Sequence, residues 1–199
     1  MQWYGALMRS RTFAVLTAVL LVPVIAHAHT GAGSVHGLTH GFTHPLFGLD
    51  HLLAMIAVGL WAAQLGGRAI WAVPASFVSV MVLGGVLGIS GVALPLVEAA
   101  ILASVFLLGL LIVFAARPPL WISATLVGVF ALFHGHAHGT EMPGDASGAL
   151  YAAGFVIATA LLHLTGMGLG LALAKWNKVP VIRIAGAAVI LGGVLVALS

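Results

Sequence analysis

Two short stretches gather half of the imidazoles and carboxylates able to hold a metal ion: His44, Asp50 and His51 in one, His134, His136, His138 and Glu141 in the other. Imidazole and carboxylate suit first-row divalent cations, and the chain has no Cys that could trap such an ion as a thiolate. Metal binding is therefore the chemistry this pattern favours. A helix turns about 100° per residue, so residues seven apart lie about 20° from alignment. On one continuous helix His44 and His51 would share a face. His134, His138 and Glu141, at i, i+4 and i+7, share another if the helix persists through Gly135 and Gly139. Asp50 lies about 100° from His51 and can either bind the ion or accept the second N–H of an imidazole and orient it. His136 points away from the His134 face, which suits a supporting or vestibule role.

Weaker signals surround these two groups. His36, His40 and His44 recur every four residues. Such a tract can gather metal or simply be solvated, and Gly37 and Gly41 argue against a rigid helical face there. Met55, one turn past His51, offers either a thioether ligand or core filling. Glu98 opens an apolar run further along. His163 and Met167, one turn apart in the middle of another run, could form a next station, whereas His163 could equally hydrogen-bond a neighbouring helix.

The elements that position these groups follow from composition. Of 199 residues, 62% are hydrophobic and 6% charged, with a mean hydropathy of +1.20. A soluble domain carries about a quarter charged residues, so composition excludes one, and with it disorder, nucleic-acid binding and a disulfide scaffold. Residues 1–28 read as a cleavable signal peptide: Arg9 and Arg11, an apolar core at 12–26, then Ala26-His27-Ala28 as the cleavage pattern. Residues 29–199 form one membrane transport domain, opening with the His-rich periplasmic segment 29–44. Six apolar runs follow, at 46–65, 69–89, 95–116, 119–138, 148–174 and 179–198, each long enough to cross a core of about 30 Å. The expected fold is all-α, a polytopic integral membrane protein of six transmembrane helices.

Charge sets the orientation. With the mature N-terminus outside, Arg68, Arg117, Lys175 and Lys178 all fall in cytoplasmic loops, and Asp145 and Glu98 fall on the outer side. Nearly every metal-binding candidate then lies toward the outer mouth. Gly84 with Gly88 and Gly166 with Gly170 are spaced for close helix packing in lipid; Gly166-Met167-Gly168-Leu169-Gly170 follows no strand and is no nucleotide loop.

The stretches HPLFGLDH (44–51) and FHGHAHGTE (133–141), together with DHLLAMIAVGLWAAQLGG (50–67), resemble the signatures of the HupE/UreJ family of bacterial nickel/cobalt permeases. The resemblance extends over the mature chain and the signal-peptide and six-helix layout. It implies that His44, Asp50, His51, His134, His138 and Glu141 are functional. It also implies Ni2+ first and Co2+ second as transported ligand, no permanently bound cofactor, and an indirect link to hydrogenase and urease maturation proteins. The residues alone specify only a borderline divalent cation. A bacterial inner-membrane location follows, with the metal cation and the lipid bilayer as partners, no nucleic acid, and a homo-oligomer left open. The competing classes are a membrane metal-dependent hydrolase, for which neither HExxH nor GxSxG is present, and a metal-sensing accessory protein.

Overall fold

Among the described residues, glycine and proline divide the apolar sequence into seven helices: α1 (Val35–Phe47), α2 (Leu49–Leu65), α3 (Ala69–Ile89), α4 (Val97–Val113), α5 (Leu120–Thr140), α6 (Gly148–Lys175) and α7 (Val179–Ala197). The computed structural model describes residues 35–144, 146–176 and 179–199, the side chains of 35, 36 and 179 excepted. No strand occurs among the described residues. The expected signal peptide at 1–28, the start of the His-rich segment, Asp145 and Lys178 lie outside them.

α1 corrects the sequence reading, which placed a loop up to residue 44. The glycines taken as helix breakers are where α1 meets α6: a Cβ at Gly37 would press on the Ser147 backbone, and one at Gly41 would fall on the Tyr151 carbonyl. That tertiary contact outweighs a helix-propensity cost of about 1 kcal/mol per glycine. A second correction concerns His44 and His51. They do not share one helix, because the chain breaks at Gly48 (φ −80°, ψ 111°) and α1 and α2 diverge by 83°.

Among the described residues, four helices are long and apolar enough to cross a membrane: α3, α5, α6, and α7 over Pro180–Ala197. The bent pair α1–α2 makes at most a fifth, and α4, though apolar, has 17 residues. At 1.5 Å per residue such a helix reaches about 26 Å, short of a core of about 30 Å. Length and composition therefore support four or five of the six crossings expected.

Close approach through glycine fixes how the helices run. Gly84 and Gly88 of α3 meet the carbonyls of Leu132 and His136, while Gly135 and Gly139 of α5 meet those of Met81 and Gly85, so α3 and α5 are parallel. Gly59 against the His163 carbonyl and Gly170 against Ala63 make α2 and α6 parallel as well. α4 and α7 run antiparallel, with Gly109 near Gly186 and Gly193 near Val105. Small residues allow this backbone proximity where lipid supplies no hydrophobic drive between helices.

Polar bonds close one end of this bundle. Trp61 Nε1 donates to the Ala116 carbonyl (3.1 Å), Gln64 Nε2 to that of Ile112 (3.1 Å) and Arg183 Nε to that of Val113 (2.8 Å). The ends of α2, α4 and α6 and the starts of α3, α5 and α7 thus lie together, carrying Arg68, Arg117, Lys175 and Arg183. Exposed Trp71, Trp121 and Trp176 occupy the same level. Asp50, Glu98 and Glu141 lie at the opposite end.

Candidate metal centre

Each side chain of the centre is placed by a local feature of its helix. Gly48 ends the extended link into α2 and sets Asp50 and His51 in the first turn, where a carboxylate also meets the positive end of the helix dipole. Gly135 and Gly139 let α5 continue past His134 and His138 as far as Thr140 while packed on α3. Glu141 follows as the C-cap, one position beyond the end of the helix, which the sequence stripe carried through it. α1, docked on α6, brings His44 over the end of α5.

The imidazoles form a continuous chain. His44 contacts His138 (ring centroids 5.0 Å), His138 contacts His51 (4.6 Å) and His51 contacts His134 (4.8 Å). Exposure is confined to the mouth. The Glu141 side chain is 50% exposed and that of His44 37%, whereas His138 and His134 are fully buried and His51 is 8% exposed.

Hydrogen bonds decide which nitrogens can act as ligands. Asp50 Oδ1 accepts the His51 ring Nδ1–H at 2.9 Å and the His51 backbone N–H at 2.7 Å. His51 Nε2 therefore carries the lone pair, buried and without a hydrogen-bond partner among the described residues. Of the two roles open to Asp50, this geometry is the orienting one. His134 is fixed similarly. The Ser104 hydroxyl gives its hydrogen to the Ile101 carbonyl (2.6 Å) and so accepts from His134 Nε2–H (2.9 Å), which leaves the lone pair on His134 Nδ1, also unpartnered. Both nitrogens of His138 lack a hydrogen-bond partner, and its ring stacks on Phe155 at 5.2 Å and 17°.

At the mouth, His44 Nε2 and Glu141 Oε2 are 2.7 Å apart. This hydrogen bond holds the Glu141 carboxyl below its usual pKa, against the opposing effect of partial burial. Ligand atoms of His44, His138 and Glu141 all lie within 4.8 Å of one another. Metal–ligand bonds of about 2.1 Å hold their atoms about 3 to 4 Å apart, so modest side-chain movement would close this trio on an ion.

The remaining candidates fall elsewhere. His136 Nε2 donates to the Val92 carbonyl (2.7 Å) and ties α5 to the turn after α3. Glu98 is exposed in the first turn of α4, and His40 is exposed on α1, one turn before His44. The side chain of His36 lies outside the described residues. Met55 and Met167 are buried in the apolar core. His163 is buried on α6 with its ring edge against Phe77, and it makes none of the interhelical hydrogen bonds weighed for it.

Sequence reasoning missed Ser104, Phe155 and Tyr151, whose ring lies 6.4 Å from that of His44. Ser104 had a signal. In α4, VEAAILASVFLLGLLIV, it and Glu98 are the only polar side chains.

A family model described as HupE / UreJ protein matches residues 17–196. The chain is 52% identical over 177 residues to Protein HupE of Rhizobium leguminosarum bv. viciae, covering 88% of this chain and 92% of that protein. No solved structure gives a significant match.

Proposed function

The chain belongs to the HupE/UreJ family, and from that premise we propose that it is a permease taking up a divalent transition-metal cation, nickel first and cobalt second, for hydrogenase or urease maturation. One observation carries the reading. The lone pairs of His51 Nε2 and His134 Nδ1 and both nitrogens of His138 are buried without a hydrogen-bond partner among the described residues, directly behind a half-exposed His44–Glu141 pair. Unpaired buried polar atoms cost about 1–3 kcal/mol each, an expense that a bound cation would offset. Glu141 and His44 meet the ion, His138 and His51 take it inward, and His134 ends this outer set.

The proposed topology has six crossings, with α2, α4 and α6 running inward and α3, α5 and α7 outward from a periplasmic N-terminus at the inner membrane. The parallel and antiparallel pairs fit that alternation. The basic residues gathered at one end support that end as the cytoplasmic one, and the exposed Trp71, Trp121 and Trp176 at the same level suit a membrane interface there. An inside-negative potential then favours uptake, by about 4.6 kcal/mol per 100 mV for a doubly charged ion.

Radiolabelled Ni2+ uptake into proteoliposomes tests the reading, comparing wild type with His138→Ala under an imposed inside-negative potential. Saturable flux lost in the variant is expected, and competition by Co2+ and Zn2+ ranks the cargo. Absence of flux from correctly folded wild-type protein would refute a self-sufficient permease and favour an accessory metal-binding role.

A further inference from the structure

Resting on the permease reading, we propose that His163 is a second, inner binding station for the same class of divalent cation, set apart from the outer imidazoles by Phe77. His163 is 2% exposed, and neither ring nitrogen has a hydrogen-bond partner among the described residues. A neutral imidazole carries one N–H and one lone pair, and burying both unpaired is costly where a Phe or Leu would fill the space freely. Packing alone therefore does not account for this residue type.

Its position completes the case. Phe77, fully buried, contacts both the His163 ring (5.1 Å, 90°) and the His134 ring (5.6 Å, 54°). His163 lies eight residues beyond Phe155, which stacks on His138, or about 12 Å further along α6. Another twelve residues, about 18 Å, separate it from Lys175 at the basic end. One turn toward the mouth, buried Thr159 donates its hydroxyl to Met81 Sδ at 3.6 Å. One turn the other way is buried Met167. Thioethers thus occur at the levels on either side of the imidazole, a softer set of donors than the carboxylate-bearing mouth.

The test measures Ni2+ flux in proteoliposomes and equilibrium binding of radiolabelled Ni2+ to the detergent-purified full chain, for wild type, His163→Phe and His163→Met. His163→Phe keeps an aromatic bulk and removes the donors; His163→Met restores a soft one. The expected result is a fall in Vmax of about tenfold or more in His163→Phe with KM unchanged, and partial recovery in His163→Met. Flux within about twofold of wild type in His163→Phe would overturn the proposal, as would a His163→Met flux no higher than that of His163→Phe. If wild type itself gives no flux, the permease reading fails separately and binding decides: one fewer Ni2+ per chain in His163→Phe upholds the inner station, and equal stoichiometry overturns it.

Discussion

Asp50→Asn is the most discriminating substitution in the outer centre, because it changes which nitrogen of His51 holds the proton while barely changing shape. Asp50 Oδ1 accepts both the ring and the backbone N–H of His51, and only this tautomer leaves Nε2 free among His134 and His138. In Asp50→Asn the new amide can turn its NH2 toward Nδ1, which moves the imidazole proton to Nε2 and blocks the ligand position. Partners that orient a metal-binding histidine are worth about 10- to 100-fold in affinity, or about 1.4–2.7 kcal/mol. That matches the roughly 1.5–3 kcal/mol of a hydrogen bond to a charged group. Asp50→Ala deletes the orienting group without imposing the wrong tautomer, so it is expected to lose less than Asp50→Asn.

Equilibrium binding of radiolabelled Ni2+ to the purified chain at neutral pH reads these differences. The decisive arm is a double-mutant cycle with His51→Ala. If Asp50 acts through His51, adding Asp50→Asn to His51→Ala should cost less than about 0.5 kcal/mol more. Fully additive losses would make Asp50 a direct ligand and refute the tautomer argument, and an unchanged Kd in Asp50→Asn alone would refute it outright.

Two further outcomes follow from the packing and the mouth. Gly135→Ala should lower thermal stability in detergent by about 1–3 kcal/mol, because its Cβ would fall on the Met81 carbonyl, whereas Gly168→Ala, with nothing within 4 Å of its Cβ, should be neutral or slightly stabilising; equal effects would contradict the glycine seam. Glu141 has its pKa lowered by His44, so its ionised form is retained above the unfolded value of about 4.3 and is lost only as pH falls through the lower folded value. The carboxylate therefore stays ionised at pH 5 and above, and Glu141→Gln should raise the Kd for Ni2+ by about tenfold while leaving the pH midpoint of binding within about 0.3 units. A flattened pH profile in that variant would make the carboxylate the titrating ligand.

What the sequence could convey depended on whether a relation lay within one helix. The His134–His138–Glu141 stripe was legible because α5 is nearly unbroken and its glycines serve contact with α3 rather than bending. His44 and His51 were legible as residue types but not as geometry, since no periodicity anticipates that the chain turns by 83° at Gly48 and that both still reach His138. The His134 tautomer depends on Ser104, thirty residues away on another helix. Hydropathy also lengthened the third run. The apolar residues 114–116 continue it in composition, but Ala115 has φ 49° and α4 ends at Val113.

The order of the donors argues for passage rather than storage. His44, His138, His51 and His134 follow one another in single file, so the interior imidazoles each touch one neighbour toward the mouth and one away from it. An ion among them can exchange one ligand at a time, and no position gathers every donor at once. Conduction requires binding favourable enough to begin and weak enough to end. Asp50 and Ser104 then fix which nitrogen of His51 and of His134 keeps its lone pair for the ion. Mutations that draw the donors together should therefore raise affinity and lower flux, the opposite of what improving a storage site would do.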